Sequence, residues 1–181
     1  FFTKLCKDQG GRFRTTPSIS LKHCSKKQPF VFLGHHMWIE IENGVMHLVV
    51  SQKAFAEDCL SRFEAECTIH ARKNLVPSKF TLAFLLDAPP LNAAKHKLFR
   101  AIVGTMMYLV LGTRLDLIAA VTILAEGQAK PTENHLHSAI HLLGYLKTNV
   151  AMALRLPLQP INDGQCIEIC THADANYTNE R

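Results

Sequence analysis

The chain has 181 residues, 48% hydrophobic and 19% charged, a balance that fits a core-forming globular protein and excludes a disordered tail. Its net charge of +5 sits in one place: residues 1–29 hold seven Lys/Arg against Asp8, a net +6, and the remainder stands at −1. A basic arm of this kind suits contact with phosphates, but the main body is not basic on its own account.

The six cysteines (Cys6, Cys24, Cys59, Cys67, Cys166, Cys170) include no CxxC pair, and no secretory signal precedes them. A reduced, intracellular setting is the expectation. The chain opens on Phe1 and not Met, so a translation start further upstream is expected. The most apolar run, residues 101–113, is 13 residues long, against the roughly 20 needed to cross a bilayer. Arg114 and Asp116 follow it directly, so the expectation is a buried helix and no membrane contact.

Residues 1–29 carry Gly10-Gly11, Pro17 and Pro29 with no sustained period and read as an irregular basic segment. From Phe30 the texture turns β-rich, with strands expected at 30–33, 38–42 and 45–50. Asn43-Gly44 between two apolar runs is a strong hairpin signal. Ser51 is placed to cap a helix in which Phe55, Cys59 or Leu60, and Phe63 recur at helical spacing. Residues 67–94 read as a mixed connector.

A helix over about Lys95 to Leu111 is apolar nearly all round, which predicts burial on most faces. Gly112 ends it, and Thr113 with Asp116 three residues on forms a capping box for the next helix. Pro131-Thr132 opens a further helix with Leu136, Ile140, Leu143 and Leu146 on one stripe. Strand-like runs follow at 151–156 and 166–171, and there are no internal repeats.

Five landmarks in this order resemble the copia-type retrotransposon Pol polyprotein. The densest is residues 99–124, where Phe99-Arg100, Val103-Gly104, Met107-Tyr108, Leu111-Gly112-Thr113-Arg114 and Asp116 stand as in that family's diagnostic segment. Phe32-Leu33-Gly34, a hairpin and Ser51-Gln52-Lys53-Ala54-Phe55 are similar to its primer-grip hairpin and following helix. Pro131-Thr132-Glu133-Asn134-His135 and Tyr145-Leu146-Lys147 resemble its Pro-Thr-x-x-His and Tyr-Leu-Lys motifs. His172-Ala173-Asp174-Ala175-Asn176 resembles the Ser-Asp-Ala-Asp-Trp that begins its ribonuclease H domain.

The resemblance spans residues 30–181 and implies an α+β fold: a hairpin, a small helical bundle like a reverse transcriptase thumb and connection, then the first strands of a ribonuclease H-like domain. The implied organisation is 1–29, an irregular basic segment; 30–150, primer-grip hairpin and thumb/connection helices; and 151–181, the start of ribonuclease H. The parent role is RNA-directed DNA synthesis in transposition, with template–primer nucleic acid and the rest of the polyprotein as partners.

By resemblance, Asp174 is the first ribonuclease H carboxylate, and Arg100, Arg114 and Lys147 are the basic residues placed to meet nucleic acid. The parent family uses Mg²⁺ held by several carboxylates, which clamp attacking and leaving oxygens. Its polymerase site needs an aspartate pair, and no Asp-Asp occurs in these 181 residues. The chain as it stands is therefore expected to be a non-enzymatic fragment that needs no cofactor. The alternative expectation is a domesticated, non-catalytic nucleic-acid-binding or interaction module.

Departures from the family pattern point to a degenerate copy. Leu115 replaces a Pro, Leu136 a Trp, and Ile140, His141 and Gly144 fall where basic residues are common. The thumb grips its duplex through phosphates, so lost basic residues imply weakened or lost binding. His135, His137 and His141 are expected to form a solvated helix face, since no His-Glu-x-x-His pattern accompanies them. Cys166, Cys170 and His172 would be too spread along a strand to share a metal, at about 13 Å for four residues. Trp38 and Tyr177 are expected to be half-buried, though rings of this kind can stack on bases.

Overall fold

The computed structural model describes residues 24–158, so the run 166–171, Asp174 and Tyr177 lie outside the described residues, as does most of the basic arm. The fold over those residues is α+β: a four-stranded antiparallel sheet beside a helical bundle. Strands β1 (Phe30–Phe32), β2 (His35–Glu42) and β3 (Val45–Ser51) form a meander. Asn43 (φ 51°) and Gly44 (φ 80°) make its second turn, both in the left-handed region that a two-residue hairpin with native twist requires. The first turn uses Leu33 (φ 47°) and Gly34 (φ 76°). Leucine enters that region at a cost, and two hydrogen bonds to its carbonyl hold it there: Tyr108 Oη donates at 2.7 Å and His35 Nδ1 lies at 3.0 Å.

Helix α1 (Lys53–Glu64) buries Ala56, Cys59, Leu60 and Phe63, the face its spacing predicts. Ser51 does not cap it. Ser51 is the last residue of β3, paired with His36, and Gln52 takes the cap position, although the Ser51 hydroxyl still accepts from Lys53 N–H at 3.2 Å. Within the stretch read as a connector, a short helix α2 (Leu82–Leu86) forms, capped by Thr81, whose Oγ1 accepts from Phe84 N–H at 3.2 Å. Five residues are too few to leave a periodic signal.

Helix α3 (Ala93–Gly112) starts earlier than expected because Asn92 caps it, accepting from Lys95 N–H at 2.9 Å. It buries one stripe, Phe99, Ile102, Val103, Met106, Leu109 and Val110, and not most of its faces. Leu111 is 80% exposed, so the all-round apolar sequence overstated the burial. A 3₁₀ turn (Leu115–Leu117) leads into α4 (Ile118–Glu126), a second 3₁₀ turn (Gly127–Ala129) follows, and α5 (Glu133–Thr148) completes the bundle. The α3 stripe packs on Leu142, Leu143 and Leu146 of α5 and on Val121 and Leu124 of α4. Burial of this many large apolar side chains, each contributing about 1.5–3 kcal/mol, is the main stabilisation.

The expected capping box at Thr113 and Asp116 does not form. Thr113 Oγ1 donates to Gln52 Oε1 at 2.9 Å in a buried site, and Asp116 is held by Arg114 instead. A buried guanidinium needs its counter-charge more than a helix end needs a cap. The capping box appears one helix later, where the Thr132 N–H donates to His135 Nδ1 at 3.2 Å and Thr132 Oγ1 donates to the Leu85 carbonyl.

His135 is thus 1% exposed and packs edge-on to Phe99, 5.9 Å between ring centroids, which corrects its expected place on a solvated face. Burial pushes its imidazole below the ordinary 6.5, against a smaller pull from the Leu85 carbonyl. Below 6.5 the unfolded chain takes up a proton that the folded one refuses. Stability therefore holds above about pH 6.5 and falls as pH drops through 6.5 toward the folded value. Urea midpoints at pH 7.5 and 5.5 should show this loss, and His135→Asn should flatten it.

Residues 154–158, assigned from sequence to a separate ribonuclease H-like segment, form β4 (Leu154–Leu158) and pair with β3, from Val50↔Leu154 to Met46↔Leu158. They therefore complete the hairpin's own sheet, and within the described residues that sheet runs across position 150. One sheet face carries Met37, Ile39, Ile41, Met46, Leu48, Val50, Leu154, Leu156 and Leu158 in matched rows. The opposite face buries Trp38 and Val49 and carries Arg155 bridged to Glu40 (2.9 Å) and Glu42 (2.8 Å). No described helix is long and apolar enough to cross a membrane.

Candidate nucleic-acid interface

The first turns of α3 present four basic side chains, and their neighbours decide which are available. Lys95 is bound to Glu133 of α5 at 2.8 Å. His96 Nε2 lies 2.8 Å from the Gln128 carbonyl, which makes that nitrogen the donor and ties α3 to the second 3₁₀ turn. Lys97 and Arg100 are exposed and make no ion pair among the described residues. Three residues apart on a helix, they share a face. With Ala93, His96, Ala101 and Gln128 they line an open depression of about 490 Å³.

Arg114 faces the interior. Its side chain is 3% exposed and grips Asp116 through one guanidinium edge, Nε to Oδ1 at 2.9 Å and Nη2 to Oδ2 at 2.8 Å. Nη1 donates to the Asn149 carbonyl at 3.1 Å, and the guanidinium carbon lies 5.9 Å from the Tyr145 ring centroid. Desolvation pushes the Asp116 carboxyl up, but Arg114, with a smaller part from Tyr145, outweighs it and leaves it below the ordinary value. Buried and already paired with Asp116, Arg114 is not presented to a phosphate, which corrects its expected role.

Lys147 also has a partner. Its Nζ lies 2.6 Å from Glu64 of α1 and 3.4 Å from the Ile69 carbonyl, so the pair closes α5 against α1. Of the basic residues singled out in sequence, only Arg100 is uncommitted. Twelve residues of helix separate it from Gly112 at the far end of α3, about 18 Å at 1.5 Å per residue, so Arg100 and Arg114 do not form one patch.

Sequence reasoning missed Lys97, although its i, i+3 spacing to Arg100 was legible. Asp174, the expected metal-binding carboxylate, lies outside the described residues. Among the described residues, no group of three or more His, Cys, Asp or Glu is arranged to hold a metal ion. No family model matches the chain, and no solved structure matches it.

Proposed function

We propose that residues 30–181 are a fragment of a copia-type Pol polyprotein: the reverse transcriptase primer-grip hairpin and thumb/connection helices running into the start of ribonuclease H. The observation that carries this reading is the order of the five sequence landmarks, at spacings close to the family's. The hairpin, the long helix ending at Gly112-Thr113-Arg114, and the bundle after it are the elements that reading calls for. The parent role is RNA-directed DNA synthesis, and this chain is itself non-catalytic. Two-metal hydrolysis needs cations about 3.5–4 Å apart between several carboxylates, and the resemblance supplies Asp174 alone. Incubating the full chain with a labelled RNA–DNA hybrid and Mg²⁺ or Mn²⁺ should give no more cleavage than Asp174→Asn. Cleavage that the substitution abolishes would overturn the non-catalytic assignment. The DNA flanking the coding segment tests the ancestry separately, through a Tyr-x-Asp-Asp codon set upstream.

A second reading, a domesticated nucleic-acid-binding module, is favoured by the uncommitted Lys97–Arg100 pair together with the basic arm 1–29. On this reading the arm supplies most of the affinity, and the pair adds about two phosphate contacts. Anisotropy with a short RNA–DNA hybrid should show binding that weakens with salt. Removing residues 1–29 should abolish most of it, and Lys97→Ala with Arg100→Ala should flatten the log–log salt slope by roughly 2. Binding that ignores both changes would sink the module.

A further inference from the structure

A second cavity lies on the opposite side of α5, away from Lys97 and Arg100. It holds about 240 Å³, many times the roughly 10–15 Å³ that one water needs, and is lined by Thr68, His70, Arg72, His137, Ile140 and His141. Its walls are fixed by the backbone. The chain from Ile69 to Asn74 crosses α5 as a strap, with Arg72 N–H donating to the Gly144 carbonyl at 3.0 Å and Lys147 reaching the Ile69 carbonyl. His141 Nε2 lies 2.9 Å from the Asn74 carbonyl and is the donor there. The strap is therefore held without using the side chains of His70, Arg72 or His137, which form no hydrogen bond or ion pair among the described residues.

We propose that this cavity binds a phosphate group, as orthophosphate or as a phosphomonoester, with the Arg72 guanidinium as anchor and His70, His137 and His141 as supporting donors. No carboxylate lines the cavity. A guanidinium fork matches two phosphate oxygens at once. With a guanidinium and three imidazoles on its walls and no carboxylate, the charge the cavity suits is an anion's. With Nε2 committed to Asn74, His141 offers a donor to the cavity only after Nδ1 is protonated. Burial holds its imidazole below the ordinary value against an upward pull from the Asn74 carbonyl, Arg72 and His137 add to the depression, and a bound anion offsets those two charge effects.

Protonation of His141 should therefore strengthen binding, while protonation of the phosphate itself, with a second pKa of about 6, opposes it over the same pH range. The titratable and charged groups around it are Arg72, His70, His137 and His141, with Lys73 next in the strap and the Lys147–Glu64 ion pair already neutralised.

The test is a titration of the full chain at pH 6.0 and 7.5, followed by the imidazole ¹⁵N–¹H signals. The probes are inorganic phosphate, phenyl phosphate and Zn²⁺. Saturable shifts of the His137 and His141 signals with either phosphate probe, weakened about tenfold or more in Arg72→Gln, support the site. Saturation by inorganic phosphate assigns the free ion, and saturation by phenyl phosphate alone assigns an ester. Backbone amide spectra verify that Arg72→Gln stays folded, and Lys97→Ala should leave the titration unchanged. No saturation by either probe, equal binding by Arg72→Gln, or saturable shifts with Zn²⁺ alone would overturn it.

Discussion

Arg114→Met should destabilise the protein by about 2–4 kcal/mol. Removing one partner of a fully buried ion pair costs about 3–5 kcal/mol because the other charge is left desolvated. Asp116 is 25% exposed at its side chain, and water reaching it reduces that figure. The substitution also removes the donor to the Asn149 carbonyl and the packing on Tyr145. Against a total stability of about 5–15 kcal/mol, the loss is large enough to read in a denaturant midpoint. Adding Asp116→Asn should recover part of it, since the stranded carboxylate is then gone, so the double-mutant cycle should be clearly non-additive. The pH profile separates the cause. With the pair intact, Asp116 ionises below the ordinary 3.8, so its stabilisation is present above 3.8 and lost as pH falls toward the folded value. In Arg114→Met that acid-side loss should vanish. A variant within about 0.5 kcal/mol of the parent would mean that water already screens the pair.

The position of Arg114 shows where the sequence was legible and where it was not. Leu111-Gly112-Thr113-Arg114-x-Asp116 carries the densest part of the family resemblance; Thr113 and Asp116 read locally as a cap, and the resemblance made Arg114 a nucleic-acid contact. In the folded chain Thr113 belongs to Gln52, 61 residues away, and Arg114 to Asp116 and Asn149. Local rules found the helix boundary at Gly112 because a boundary is a local event. They could not find the distant partners, Gln52 at the start of α1 and Asn149 at the end of α5, and they gave Asp116 to Thr113 when it belongs to Arg114. The same division holds elsewhere. Asn43-Gly44 announced its turn, whereas Leu33-Gly34 did not, because the residue that steadies Leu33 is Tyr108, 75 positions on. Lys147 looked free until Glu64, 83 positions away, closed on it. Arg100 lies on an exposed helix face and has no ion-pair partner among the described residues.

Gly144→Ala should lower stability, while Gly104→Ala should raise it, although both glycines lie inside helices. Glycine in a helix interior costs about 0.5–1 kcal/mol relative to alanine, so each substitution begins with that gain. At Gly104 an added Cβ meets nothing within 4 Å, and the gain stands. At Gly144 it would collide with the His70 carbonyl oxygen and come within 2.8 Å of Arg72 Cγ. The first contact is with backbone that the Arg72–Gly144 hydrogen bond holds down, so the strap itself must lift. Overpacking of this kind costs about 1–3 kcal/mol, and here it also strains that hydrogen bond and the one to His141. The net expectation is a loss of about 1–2 kcal/mol, with faster amide exchange at Arg72 and a midpoint shift opposite in sign to that of Gly104→Ala. Equal gains from both substitutions would show that the strap moves freely.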